Sequence, residues 1–232
     1  MMLLNVLFML PQEAGGDGLV NSLVMRFNEG GDYMWPVLIA LILGLAIAFE
    51  RIITLNRADI NTRKFIIAVK EALETGGIAP AEEVCANTRG PVASVFQAGL
   101  LRHDEGIEAV EKAVVSYGSI EMSFLERGLV WLSLFIALAP MFGFLGTVVG
   151  MVAAFDAIET AGDISPSLVA GGIKVALLTT VFGLITAIIL QFFYNYIVSK
   201  IDRIVIDMEE ASIELIDSLV LLRAGNPVSE NA

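Results

Sequence analysis

"PMFGFLGTVVGMVAAF", residues 140–155, contains a proline, three glycines and a threonine in a run without a single charge. Proline removes a helical hydrogen bond, and glycine weakens helices in water. Both are tolerated in a membrane helix, where neighbouring helices re-satisfy the backbone and small residues let helices approach closely. The stretch therefore reads as the middle of a membrane span that carries a task besides crossing.

Composition supports this. The chain has 232 residues, 56% of them hydrophobic and 17% charged, with a mean hydropathy of +0.75. Those values describe a small integral membrane protein rather than a soluble domain. One cysteine, Cys85, and one histidine, His103, exclude an internal disulfide and a Cys/His metal or nucleophile site. No cofactor is expected. A net charge of -12 with no basic cluster argues against nucleic acid as a partner.

Three uncharged segments approach or exceed the ~20 residues a bilayer needs: 33–49, 128–155 and 175–198. Their flanking cations set the orientation. Arg51, Arg57, Arg63 and Lys64 follow the first, Lys112 and Arg127 precede the second, and Lys200 and Arg203 follow the third. The loop between the last two holds Asp156, Glu159, Asp163 and, as its only base, Lys174. The expected fold is an all-α membrane protein with three transmembrane helices and long cytoplasmic helical extensions.

Its expected organisation places residues 1–32 outside, carrying an amphipathic helix with Leu19, Val20, Leu23, Val24 and Phe27 at helical spacing. Residues 33–49 form the first span, 50–127 a cytoplasmic helical region and 128–155 the second span. An outer loop and the start of the third helix occupy 156–174, the third span 175–198, and a cytoplasmic helix and tail 199–232. The opening "MMLLNVLFML" lacks a basic n-region, which reads against a cleaved signal peptide.

Inside the 50–127 segment, "NTRKFIIAVKEALETGG" has an Asn-Thr start and a Gly-Gly stop around an apolar face. A second helix is expected from Pro80, a third through "PVASVFQAGLLR", and a fourth from about Glu105 that continues straight into the second span. Ile201, Ile204, Val205, Met208, Leu215 and Leu219 extend the third span as an amphipathic helix. Glu50 and Arg51 read as an interfacial salt pair more than as a gate.

At 100° per residue, Ser133, Pro140, Gly143, Thr147, Gly150 and Ala154 fall within about 60° of Thr147. Ala176, Thr180, Gly183, Ala187 and Gln191 form a second small stripe around Thr180. Two readings remain open on these residues alone. Either the stripes are packing faces, or they line a cavity shared with other subunits, with Pro140 shaping it.

"APMFGFLGTVVGMVAAF" (139–155) resembles the AP-x-x-G-x-x-GT-v-x-G signature of the MotA/TolQ/ExbB proton channel family. "GGIKVALLTTVFGLITAI" (171–188) resembles its third-span signature G-I-x-x-A-L-x-x-T-x-x-G-L, and "WPVLIALILGLAIAFERI" (35–52) its opening P-V-L…E-R segment. The resemblance favours the cavity reading and the ExbB/TolQ branch. It implies an inner-membrane, ring-forming subunit, a homo-pentamer, driven by the proton motive force. It also implies an ExbD/TolR-like single-span partner carrying the membrane aspartate, a TonB/TolA-like protein beyond it, and work at the envelope such as TonB-dependent import. Thr147 and Thr180 match the family's pore-facing pair, and Pro140, Gly143, Gly150 and Gly183 accompany them. Where ExbB and TolQ carry a glutamate before the third-span A-L, this chain has Val175.

No carboxylate lies inside the three spans, so the chain cannot relay protons across hydrocarbon alone. An intramembrane hydrolase would need a Ser-His or Asp-Asp pair there, and neither is present. A non-conducting scaffold and a motility-type stator subunit are the remaining alternatives.

Lys174 is the one charge in the third apolar helix. A helix starting at Ser165-Pro166 puts it roughly 12 Å in, within reach of the outer interface by snorkelling. An outer-mouth or subunit-contact role is expected, with Asp156, Glu159 or Asp163 as its partner.

The orientation makes a testable expectation. Cysteines placed at Ser22 and Ser165 should react with a membrane-impermeant thiol reagent in intact cells, and native Cys85 should not. Labelling of Cys85 would reverse the assigned orientation.

Overall fold

The computed structural model describes residues 16–162 and 166–225. Among them there is no strand. The helices are α1 (Gly16–Glu29), α2 (Met34–Ala58), α3 (Thr62–Gly76), α4 (Ile78–Asn87), α5 (Pro91–Leu100), α6 (Ile107–Leu125), α7 (Leu129–Ala161) and α8 (Pro166–Ala224), with a 3-10 turn at His103–Glu105. Three helical stretches, within 34–76, 107–161 and 169–224, are long and apolar enough to cross a membrane. The all-helical, three-span architecture read from the sequence is the one found. The opening apolar stretch 1–10, Asp163, Ser165 and the C-terminal tail lie outside the described residues, as do the side chains of Leu19 and Val20.

The chain divides into two compact units, one within residues 1–45 and 133–191 and the other within 46–132 and 192–232. The second is an ordinary bundle. Phe65, Val69 and Leu73 of α3, Ala81 and Cys85 of α4, Val95, Phe96 and Leu100 of α5, and Val110 and Val114 of α6 form one buried cluster with Met208, Ala211, Leu215 and Leu219 of α8. Phe65 and Phe96 meet edge to face, their centroids 5.1 Å apart.

On α8 the buried residues Ile201, Ile204, Met208, Ala211, Leu215 and Ser218 recur at alternating spacings of three and four, the seam of a coiled coil. Val205, expected on that face, sits at its edge. Polar ties flank the seam: Lys200 Nζ donates to Asn56 at 2.6 Å and pairs with Asp59 at 3.1 Å, while Lys70 pairs with Glu214 at 2.6 Å.

The local start signals act as the residues suggest. Asn61 caps α3, its side chain accepting from the Lys64 N–H at 3.1 Å. α4 begins at Ile78, two residues before the expected Pro80. Pro80 falls in the first turn, where its missing N–H costs nothing.

One expectation fails. The helix from the 105 region does not run straight into the second span; α6 ends at Leu125 and α7 begins at Leu129. Gly128 has φ +91°, outside the α-helical region and costly for any residue with a Cβ. Its carbonyl accepts from the N–H groups of Trp131 and Leu132 at 3.1 and 3.2 Å, starting the next helix. A lone glycine without proline gave no reason to expect a stop, because glycine is compatible with a helix as well as with this turn. Nearby, Arg51 donates to Glu50 at 2.7 and 3.0 Å, and Thr54 donates to the same carboxylate at 3.0 Å. Glu50 and Arg51 are thus paired with each other.

Cys85 is 2% exposed, and burial, with a smaller push from the charge of Glu82, raises its thiol to a pKa of about 12. Silence of Cys85 toward a thiol reagent therefore reports burial, not sidedness. In folded protein at pH 8, Cys85 should stay unmodified on either side of the membrane and react only once denaturant opens the bundle. A cysteine at the exposed Glu83 is the informative control for the side on which this bundle lies, and reaction of Cys85 without denaturant would show the bundle to be open rather than the orientation to be reversed.

Candidate functional site

Within 1–45 and 133–191 the distribution of side-chain size is inverted. The buried positions are mostly small: Ala40, Ala139, Ala154, Ala176, Thr179 and Thr186. Bulky residues point outward, among them Ile39, Phe144, Leu145, Phe155, Leu177 and Ile188. That is the pattern of helices whose outer faces meet lipid or another apolar chain.

The two small-residue stripes face each other. A Cβ on Gly143 would sit 2.8 Å from the Thr179 carbonyl oxygen, and one on Gly183 would sit 2.6 Å from that of Ala139. Gly150 lies against the backbone of Ala176, and Gly146 receives the side chain of Thr179, 2.7 Å from where its Cβ would be. Backbone atoms cannot swing aside as a flexible side chain can. Both Gly143 and Gly183 are therefore required to be glycine for α7 and α8 to approach this closely. Gly44 of α2 similarly makes room for Leu190 of α8.

This contact brings two hydroxyls together. Thr147 Oγ1 and Thr180 Oγ1 are hydrogen-bonded to each other. Thr147 Oγ1 also lies 3.1 Å from the Gly143 carbonyl oxygen and 3.0 Å from that of Ala176. Thr180 Oγ1 lies 3.4 Å from the Gly143 carbonyl. Both threonines are half-buried, so the pair is tied inward to the backbone while part of it stays accessible at the surface of the chain. Pro140, half-buried on α7, has no N–H, which leaves the Ile136 carbonyl without its helical donor.

Of the site residues read from the sequence, Gly143, Gly150 and Gly183 thus lie in the α7–α8 contact, and Thr147 and Thr180 bridge it. Thr179 was missed. It sits one residue, 100°, off the stripe centre, and no spacing rule marked it; only the packing against Gly146 does. Gln191 and Asn195, near the C-terminal end of the stripe, also have interaction partners.

Lys174 has a partner other than those expected. Its Nζ is 2.6 Å from Glu29 Oε1, at the C-terminal end of α1. That end of a helix carries a partial negative charge, so the ammonium is favoured there by the dipole as well as by the carboxylate. Asp156 and Glu159 are close to Lys174 in sequence, whereas α1 comes near only in the folded chain. A further contact in this region is Phe27 against Trp35, edge to face with centroids 5.5 Å apart.

Comparison with known proteins bears on the site. Residues 87–210 match the MotA/TolQ/ExbB proton channel family, a stretch that contains α7 and the part of α8 that carries Thr180. A protein named as an ExbB homolog in Methanothermobacter thermautotrophicus is 36% identical over 182 residues, covering 78% of this chain and 64% of its own length. An ExbB-like protein of Synechocystis sp. is 31% identical over 182 residues, 76% of this chain and 71% of its own. The biopolymer transport protein ExbB of Xanthomonas campestris is 36% identical over 99 residues, 43% of this chain and 39% of its own. The chain thus spans just under two thirds of the first of these relatives.

The Glu29–Lys174 pair joins side chains that are 37% and 53% exposed, so screening limits it to about 0.2–1 kcal/mol. Lys174→Glu should lower thermal stability of the purified protein by that order, and Glu29→Lys in the same chain should restore it. A double-mutant cycle with no coupling would show that the two side chains merely pass each other.

Proposed function

Because the chain belongs to the MotA/TolQ/ExbB proton channel family, we propose that it is a ring-forming subunit of an ExbB/TolQ-like, ion-driven motor in the cytoplasmic membrane. Five copies surround the membrane helices of an ExbD/TolR-like partner, and the proton motive force energises work at the envelope, such as TonB-dependent import through a TonB/TolA-like protein. In this arrangement the N-terminus lies outside, and the bundle of residues 46–132 and 192–232 lies in the cytoplasm. Lipid covers the bulky outer faces.

The observation that carries this reading is the half-buried Thr147–Thr180 pair, set in two apolar spans, 128–155 and 175–198, that contain no carboxylate. Hydroxyls can donate to or accept from a carboxylic group, but they do not ionise near neutral pH. They are suited to guide a proton carried by a group from elsewhere. An aspartate on a partner helix supplies that group, and the threonines give it a polar station in an otherwise apolar wall. Pro140, which gives the Ile136 carbonyl no N–H, offers a further acceptor on the same helix. Gly143, Gly150 and Gly183 act indirectly by setting the helix separation at which both hydroxyls meet.

A non-conducting scaffold uses the same contacts for packing alone. Valine at both positions separates the two readings, since it preserves volume while removing the hydroxyls. Each hydroxyl in a membrane helix contributes only about 0.6–2 kcal/mol to folding, and the backbone carbonyls they touch keep their helical N–H partners. The Thr147→Val/Thr180→Val protein should therefore assemble with its partner yet lose proton flux by at least about tenfold in reconstituted vesicles. Unchanged flux in an intact assembly would leave the threonines as packing residues.

A further inference from the structure

Thr179 is 0% exposed and meets no external ligand. Its side chain fills the hollow over Gly146, and its hydroxyl donates to the Ala176 carbonyl at 2.8 Å. The same carbonyl lies 3.0 Å from Thr147 Oγ1. A carbonyl has two lone pairs, and within a helix one faces the N–H four residues on. The two hydroxyls compete for the other, and Thr179 is the closer.

Counting protons shows what the competition decides. Each hydroxyl brings one proton, and the Thr147–Thr180 bond uses one of the two available. If Thr147 donates to a carbonyl, Ala176 at 3.0 Å or Gly143 at 3.1 Å, Thr180 must donate to Thr147, and the pair has no proton to offer. If Thr147 donates to Thr180, the Thr180 proton is held only by the Gly143 carbonyl at 3.4 Å, the longest contact of the set. It is then free to turn to a stronger acceptor, and a carboxylate is one. The Gly143 carbonyl can accept in either direction, whereas Ala176 can accept only in the first, so weakening Ala176 as an acceptor shifts the balance toward the second.

We propose that Thr179 is a positioning residue. By occupying the Ala176 carbonyl it removes one of the two carbonyls open to the Thr147 proton, which shifts that proton toward Thr180 and leaves the Thr180 hydroxyl more often a donor toward a carboxylate presented by a neighbouring helix. This rests on the reading of Thr147 and Thr180 as part of the ion path. It assigns the two threonines different roles, Thr147 as relay and Thr180 as the contact.

The test uses the chain assembled with its partner in vesicles, with proton flux measured in H2O and in D2O. Thr179→Val keeps the shape that fills the Gly146 hollow but frees Ala176; flux should fall about threefold to tenfold, the value of one hydrogen bond, with a changed solvent isotope effect and unaltered assembly. Thr179→Ser restores the hydroxyl and should recover most of the flux. Should the valine form not assemble, Thr179→Ala also lacks the hydroxyl and serves the same comparison. Wild-type flux without the hydroxyl overturns the proposal, as does a serine form as slow as the valine form, which would assign the loss to packing. If the Thr147→Val/Thr180→Val protein itself conducts normally, the ion-path reading falls first, so the two failures are distinguishable.

Discussion

Everything specific about the membrane-spanning half depends on how closely α7 and α8 approach. Gly143 and Gly183 stand where any side chain would strike the opposing backbone. With the chains at that distance, the Thr147 hydroxyl reaches a carbonyl on the other helix as easily as one on its own, 3.0 against 3.1 Å. An increase of one methyl group in separation would break the interhelical bond and leave two ordinary back-bonded threonines. Close packing and a polar station are thus one arrangement, and the glycines that serve the first make the second geometrically available.

The bundle formed within 46–132 and 192–232 is held by different means. Phe65, Phe96, Leu100, Leu215 and their neighbours bury large apolar surfaces, and charges are kept at the margin, where Lys70 finds a carboxylate on α8 and Lys200 finds one just past the end of α2. The uninterrupted helix α8 supplies both environments in turn. Its first part offers Ala176, Thr180 and Gly183, and its last part the three-four seam from Ile201 to Ser218.

The spans were legible in the sequence from their uncharged length, and the small stripes and the seam because each is periodic, and period survives without knowledge of neighbours. What could not be read depended on a single residue or on a distant one. Gly128 fits a helix and a turn equally well in sequence, and only its φ of +91° decides. Lys174 is near three acids along the chain, yet pairs with Glu29, which comes from α1. Of the two readings of the stripes, the structure shows the packing face: the glycines pack, and the threonines they bring together remain half-buried. Thr179 lay off the stripe that drew attention to its neighbour.

The inversion of side-chain size gives the chain two opposite rules for substitution. Around Phe65 and Phe96, removing bulk opens a void and is the damaging change. Around Gly143 and Gly183 there is no bulk to remove, and adding one carbon is what the structure cannot absorb. The outward residues of that same part, such as Phe144 and Leu145, need only remain apolar where lipid covers them, so their shapes are nearly unconstrained. A substitution map of this protein would therefore change its meaning partway along α8. On the Thr180 side the intolerant positions would reject enlargement, and on the Leu215 side they would reject truncation.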